Sequence, residues 1–104
     1  MSFDKKNHFV IAVDLDNTLT NGEPAWDGIT PTPYKEHVEV IRKLYKKGYI
    51  IIIHTARRWE YAPETIGWLI SNRIPYHGIM MGKMPADYYI DDKNTTWNEL
   101  VALT

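Results

Sequence analysis

Two short runs of apolar residues constrain this chain most: Phe9–Val13, and Tyr49–Ile53 with four consecutive isoleucines. A continuous run of this kind suits a parallel strand covered on both faces, because a half-exposed strand would alternate with polar residues. Parallel neighbours need a crossover, and the interval between the runs can hold one. Tyr34, Val38, Ile41 and Tyr45 recur at steps of four, three and four before Gly48, which is the spacing of one helix face ending at a glycine. Thr32 and Pro33 offer a cap followed by proline at the first helical position.

The alternation continues. A second helix is predicted from Pro63 to about Asn72, with Ile66, Leu69 and Ile70 inward. Gly78–Met81 and Tyr88–Ile90 read as further strands, and Thr96-x-x-Glu99 resembles a capping box that opens a last short helix. The order β-α-β-α-β-β-α implies an α/β sheet with right-handed crossovers, and ligands in such folds collect beyond the carboxyl ends of the strands. Between Asn21 and Pro31 no period survives among Gly22, Pro24, Gly28 and Pro31, so a loop is expected, a flap spanning about 20–31.

At 104 residues the chain has the length of one domain, 1–104. A hydrophobic share of 44 % argues against a disordered chain, and a formal charge of -1 gives no general attraction for nucleic acid or anionic membrane. Any phosphate must therefore be held locally. The absence of cysteine excludes thiol nucleophiles, disulfides and thiolate metal sites. No run approaches the roughly 20 apolar residues of a membrane span. Met1–His8 lacks a following secretory apolar stretch, so a cytoplasmic setting is expected.

The chemistry lies at the strand ends. Asp14-Leu15-Asp16-Asn17-Thr18 follows the first strand directly, and two carboxylates beside a buried strand are costly unless a cation or several donors compensate. Taken alone, the pair could still be an ordinary turn with Asx caps. It has company, however: Thr55 closes the second strand, Lys83 follows the third, and Asp91-Asp92 follows the fourth.

This ordered set resembles the haloacid dehalogenase superfamily of phosphotransferases over residues 9 to 92. The resemblance implies a Rossmann-like three-layer sandwich with a short, mainly parallel sheet and no cap domain. It also implies a magnesium-dependent phosphomonoester hydrolase. Asp14 would be the nucleophile that becomes an aspartyl phosphate, and Asp16 the general acid and then base. Asp14, Asp16 through its carbonyl, and Asp91 would bind Mg2+, with Asp92 holding its water shell. Thr55 and Lys83 would bind phosphoryl oxygens, with Asn17 and Thr18 part of the phosphate-binding loop. The wording of the first and last motifs is similar to small capless members among capsule-biosynthesis and phage-encoded phosphatases. Asn17 departs from the family by replacing a common glycine, and only Met84 to Asp87 separate Lys83 from the fourth strand.

Other residues permit two readings each. Arg57 could grip substrate or be a solvated charge, and Trp26 in the flap or Trp59 near Thr55 could stack on a sugar or base. His54 reads as a packed neutral histidine. The cations Arg42, Lys43, Lys46 and Lys47 suit a helix C-terminus and need no ligand. A receiver-like module or a catalytically inactive phosphate-binding module is the alternative class. Receivers, however, carry an adjacent acidic pair after the first strand, and no catalytic position is missing here. The expected substrate is a small phosphorylated metabolite, a sugar phosphate or nucleotide. The absence of a cap, with 12 % aromatic residues to accommodate, leads to the expectation of a homodimer.

Overall fold

A computed structural model describes residues 9–21, 32–90 and 92–104. Along the chain run β1 (Val10–Val13), α1 (Lys35–Lys46), β2 (Ile50–His54), a 3-10 turn (Trp59–Tyr61), α2 (Ala62–Ser71), β3 (Gly78–Met80) and α3 (Trp97–Val101). The sheet has the order β1-β2-β3 and both pairings are parallel, with Ile11 opposite Ile51, Val13 opposite Ile53 and Ile52 opposite Gly78. This is the α/β, Rossmann-like arrangement that the apolar runs imply.

Among the described residues, β1 and β2 are packed on one face and open on the other. Burial alternates along β1 and β2, so that Ile11, Val13, Ile51 and Ile53 point to one face and are buried. They join Val38, Ile41 and Leu44 of α1, Trp68 and Leu69 of α2, and Leu100 of α3 in a single core. Burying a side chain of this size contributes about 2 kcal/mol. On the opposite face Val10 and Ala12 are exposed and Ile52 and His54 are half-buried. This face lines a groove of about 980 Å³ that also reaches Lys83, Tyr89 and Lys93. His54 therefore lies along a groove rather than in the packed interior.

Tyr88–Ile90 does not form the expected fourth strand. The segment instead closes on itself: the Tyr89 hydroxyl donates to the Met84 carbonyl, the Lys83 ammonium sits 4.2 Å from the centre of the Tyr89 ring, and Tyr88 and Ile90 are exposed. Four residues between Lys83 and Tyr88 are too few for a parallel crossover, which takes a dozen or more.

The helix ends have local causes. Gly48, at φ 97°, follows α1 in a Schellman arrangement in which Tyr49 N–H donates to Leu44 O and Gly48 N–H to Tyr45 O. The same pattern ends α2 with Arg73 in the left-handed position, where Ile74 N–H donates to Leu69 O. At its start, α1 is capped by Tyr34 and not by Thr32, and Pro33 precedes the first turn. Tyr34 N–H donates to Leu19 O at 2.8 Å, and Pro33 bridges Thr20, so the entry is set by the loop after β1. Thr96 caps α3 as expected by accepting from Glu99 N–H, while the Glu99 carboxylate accepts from Thr95 and leaves the reciprocal half of a capping box unmade. Arg42 on α1 binds the carbonyls of Asn72 and Arg73, and Lys47, just after the helix, that of Leu103.

Candidate active site

The inward parity of Ile11 and Val13 continues through Leu15, which is fully buried. Asp14 and Asp16 flank it just beyond the carboxyl end of β1, and both are half-buried. The turn is then fixed by one carbonyl: Leu15 O accepts from Thr18, Leu19 and Thr20 N–H at 3.2, 2.7 and 3.0 Å. Within it Asn17 has φ 61°, in the left-handed region where glycine and asparagine carry the least strain. The departure from glycine at this position is thus compatible with the backbone that the turn requires. Thr18 Oγ1 donates to Asp14 Oδ2 at 3.4 Å, and Thr20 Oγ1 to Asp16 Oδ1 at 3.3 Å.

Arg57 does not reach outward. Its Nε and Nη2 donate to Asp16 Oδ2 and Oδ1 at 2.9 and 2.7 Å, and its Nη1 donates to Thr65 Oγ1 at 2.9 Å. The arginine side chain is 5 % exposed and that of Asp16 22 %, so this ion pair stands largely out of water. A bidentate guanidinium contact fixes the carboxylate plane as well as its position. The expected alternatives for Arg57, a substrate grip or a solvated charge, give way to a contact that orients Asp16. Its neighbour Arg58 is the exposed one, paired with Glu60 at 2.8 Å.

Thr55 and Lys83 meet by continuation of the β2–β3 pairing. Thr55 N–H donates to Met80 O, Lys83 N–H to Thr55 O, and Gly82 N–H to Arg57 O, at 2.9, 2.9 and 2.7 Å. The backbone of Lys83 is thereby placed beside that of Thr55, with no need of a long crossover after it. The Thr55 hydroxyl is buried and accepts from Arg57 N–H at 3.1 Å. Trp59 is exposed, its indole next to Gly82.

Trp26, residues 22–31 of the flap and Asp91 lie outside the described residues. The base of the flap is described: Asn21 N–H donates to Thr32 O at 2.8 Å and Asn21 Oδ1 accepts from Thr32 N–H at 3.2 Å, so the chain leaves and returns at one point. Asp92 is exposed. Among the described residues no three His, Asp or Glu side chains gather closely enough to hold a metal ion. The donors present are nonetheless hard oxygens at a strand end, the Asp14 carboxylate and the Asp16 carbonyl, which fit magnesium in kind and need a further carboxylate such as Asp91 in number. His37 and the Asp16–Arg57–Thr65 contacts went unread in the sequence.

Residues 11–102 match the haloacid dehalogenase-like hydrolase family, and the chain belongs to it. A crystal structure of a structural-genomics target from Vibrio cholerae is similar, with a TM-score of 0.77 and 26 % identity over 92 % of this chain and 89 % of that one. Two structures of Pnkp1/Rnl/Hen1, one described as an RNA repair complex, each contain a similar chain at 25 % identity, with TM-scores of 0.61 and 0.62. They are covered over 31 % and 30 % of their lengths, by 83 % and 86 % of this chain. No curated protein sequence matches significantly.

Proposed function

We propose that the protein is a magnesium-dependent phosphomonoester hydrolase that works through an aspartyl phosphate on Asp14. The observation that carries this reading is the presentation of Asp14 and Asp16 on either side of buried Leu15, with Asp16 alone gripped by Arg57. Two carboxylates in one turn are thus made unlike, Asp14 free of the arginine and Asp16 fixed in plane as its ion-pair partner, an arrangement that suits a nucleophile beside a base for water.

In the first step an Asp14 oxygen forms a bond to phosphorus as the ester P–O bond breaks, and Asp16, with one oxygen released from Arg57 and carrying the proton gained in the preceding turnover, gives that proton to the departing alkoxide. In the second, Asp16 takes a proton from water, whose oxygen attacks phosphorus. The bond from phosphorus to Asp14 then breaks and releases inorganic phosphate. Thr55, Lys83, Asn17 and Thr18 hold the phosphoryl oxygens, and Thr18 also fixes the rotamer of Asp14. Magnesium, held by Asp14, the Asp16 carbonyl and Asp91 with Asp92 outside them, would neutralise phosphoryl charge.

The substrate class we favour is a small sugar phosphate or nucleotide, with exposed Trp59, four residues beyond Thr55, as the aromatic to stack on it. A second reading, hydrolysis of a terminal phosphate on a polynucleotide, is favoured by the likeness to chains of an RNA repair complex. A screen of phosphomonoesters, including nucleotides and 3′- and 5′-phosphorylated oligonucleotides, tests both readings. Magnesium-dependent release of phosphate that chelator abolishes is expected. No release from any phosphomonoester by folded protein with magnesium would overturn the reading.

A further inference from the structure

The turn that carries Asp14 is held from outside by a residue that the proposed chemistry does not use. His37, on the first turn of α1, places Nδ1 2.7 Å from the carbonyl oxygen of Thr18. A carbonyl only accepts, so the proton lies on Nδ1, and both the Nδ1–H tautomer and the imidazolium can make this bond. The ring is fixed on two sides. It stacks on Trp97 at 4.1 Å between centroids with an angle of 11°, and meets Tyr34 edge-on at 5.3 Å. Trp97 is the first residue of α3, behind the Thr96 cap, and Tyr34 N–H is itself bonded to Leu19 O.

Two consecutive carbonyls of the turn, at Thr18 and Leu19, are therefore tied to the start of α1. The strong tie matters because the bond it supports is weak. Thr18 Oγ1 reaches Asp14 Oδ2 only at 3.4 Å, close to the limit of a hydrogen bond, so a few tenths of an ångström at Thr18 decide whether it forms. Thr18 N–H to Leu15 O, at 3.2 Å, is also the longest of the three bonds that converge on that carbonyl. Without His37 the Thr18 end of the turn has the least holding it.

We infer that His37 is a positioning residue: clamped between Trp97 and Tyr34, it holds Thr18 so that the Thr18 hydroxyl can fix the Asp14 carboxylate, and so couples the α3 helix to the nucleophile. The catalytic part of this inference rests on the phosphatase reading, whereas the holding of the turn does not.

Two variants separate donor from ring. His37→Phe keeps an aromatic ring for Trp97 and removes the N–H. His37→Asn puts an N–H near the position of Nδ1 and removes the ring. Amide hydrogen exchange of the peptide Asp14–Thr20 should quicken about tenfold in His37→Phe while β2 exchanges as in wild type, and His37→Asn should restore the turn despite a lower Tm. On a phosphomonoester that wild type hydrolyses, kcat should fall about tenfold in His37→Phe with KM unchanged, and recover in His37→Asn. Wild-type exchange of the turn in His37→Phe, or equal quickening of turn and β2, would overturn the inference and leave His37 as packing. A wild type without turnover would refute the phosphatase reading while the exchange data still decide the role of His37.

Discussion

Arg57 reaches across 41 residues of sequence to hold Asp16 by two N–H groups, 2.9 Å from Nε to Oδ2 and 2.7 Å from Nη2 to Oδ1. Its third contact, to Thr65 on α2, makes the arginine a brace between the turn after β1 and the first half of α2. Removing it leaves a largely desolvated carboxylate without this counter-charge, with the Thr20 hydroxyl still donating to it. Arg57→Ala should therefore cost about 2 kcal/mol in denaturant unfolding, below the range for fully buried pairs because Asp16 retains some water contact. Arg57→Lys should recover little, since an ammonium cannot make the two parallel bonds. Full stability of Arg57→Ala would show that the pair contributes nothing net.

Backbone conformation gives a second test at the turn. Asn17 stands at φ 61°, so Asn17→Gly should be neutral or mildly stabilising, and Asn17→Val should cost about 1–2 kcal/mol because a β-branched side chain is crowded there. Chemical denaturation of both variants would decide it. Equal stability of the two would mean that the turn relaxes to another conformation.

Two substitutions in and after α2 should raise stability without touching the site. Gly67 lies inside the helix, and a Cβ added there meets nothing within 4 Å, so Gly67→Ala should add up to about 1 kcal/mol. Arg73 occupies the left-handed position after the same helix at φ 55°, where Arg73→Gly should add a similar amount. The contact that Arg42 makes there is to the Arg73 carbonyl, which glycine retains. Thermal melts of the single and double variants should show rises that add.

Assembly is a fourth expectation. Val10, Met80, Met84, Tyr88 and Ile90 are exposed apolar residues, and among the described residues no strand pairs with the outer edge of β1. We propose a homodimer that covers part of this surface. Light scattering at micromolar concentration should return twice the 12.2 kDa chain mass, and the monomer mass would contradict it.

The apolar runs and the helical spacing of Val38 and Ile41 made β1, α1 and β2 readable in the sequence, because their burial is dictated by period and length. Which face of the sheet is covered is not legible in the runs themselves, since a run of isoleucines looks the same whether one face or two are packed. Tyr88–Ile90 has strand composition, yet the four-residue link from Lys83 and its stacking on Tyr89 hold it elsewhere. At the candidate site, the positions of Asp14, Asp16, Thr55 and Lys83 just beyond the strands were legible because each follows an apolar run. The grip of Arg57 on Asp16 was not, because nothing in a Thr-Ala-Arg sequence says toward which distant carboxylate the arginine turns. His37 was hidden by its setting, a histidine on the first turn of α1 whose partner is a backbone carbonyl.

Trapping the covalent intermediate tests the central claim most directly. Asp16→Asn removes the base that activates water while leaving Asp14 able to attack an ester with a good leaving group, so the phosphoenzyme should accumulate. Protein incubated with magnesium and an activated aryl phosphate, then acid-quenched and digested, should yield the Asp14-containing peptide heavier by one phosphoryl group, and the adduct should vanish on further replacement of Asp14 by Asn. A phosphoryl group found on any other residue, or turnover undiminished by Asp14→Asn in the wild-type background, would contradict the account.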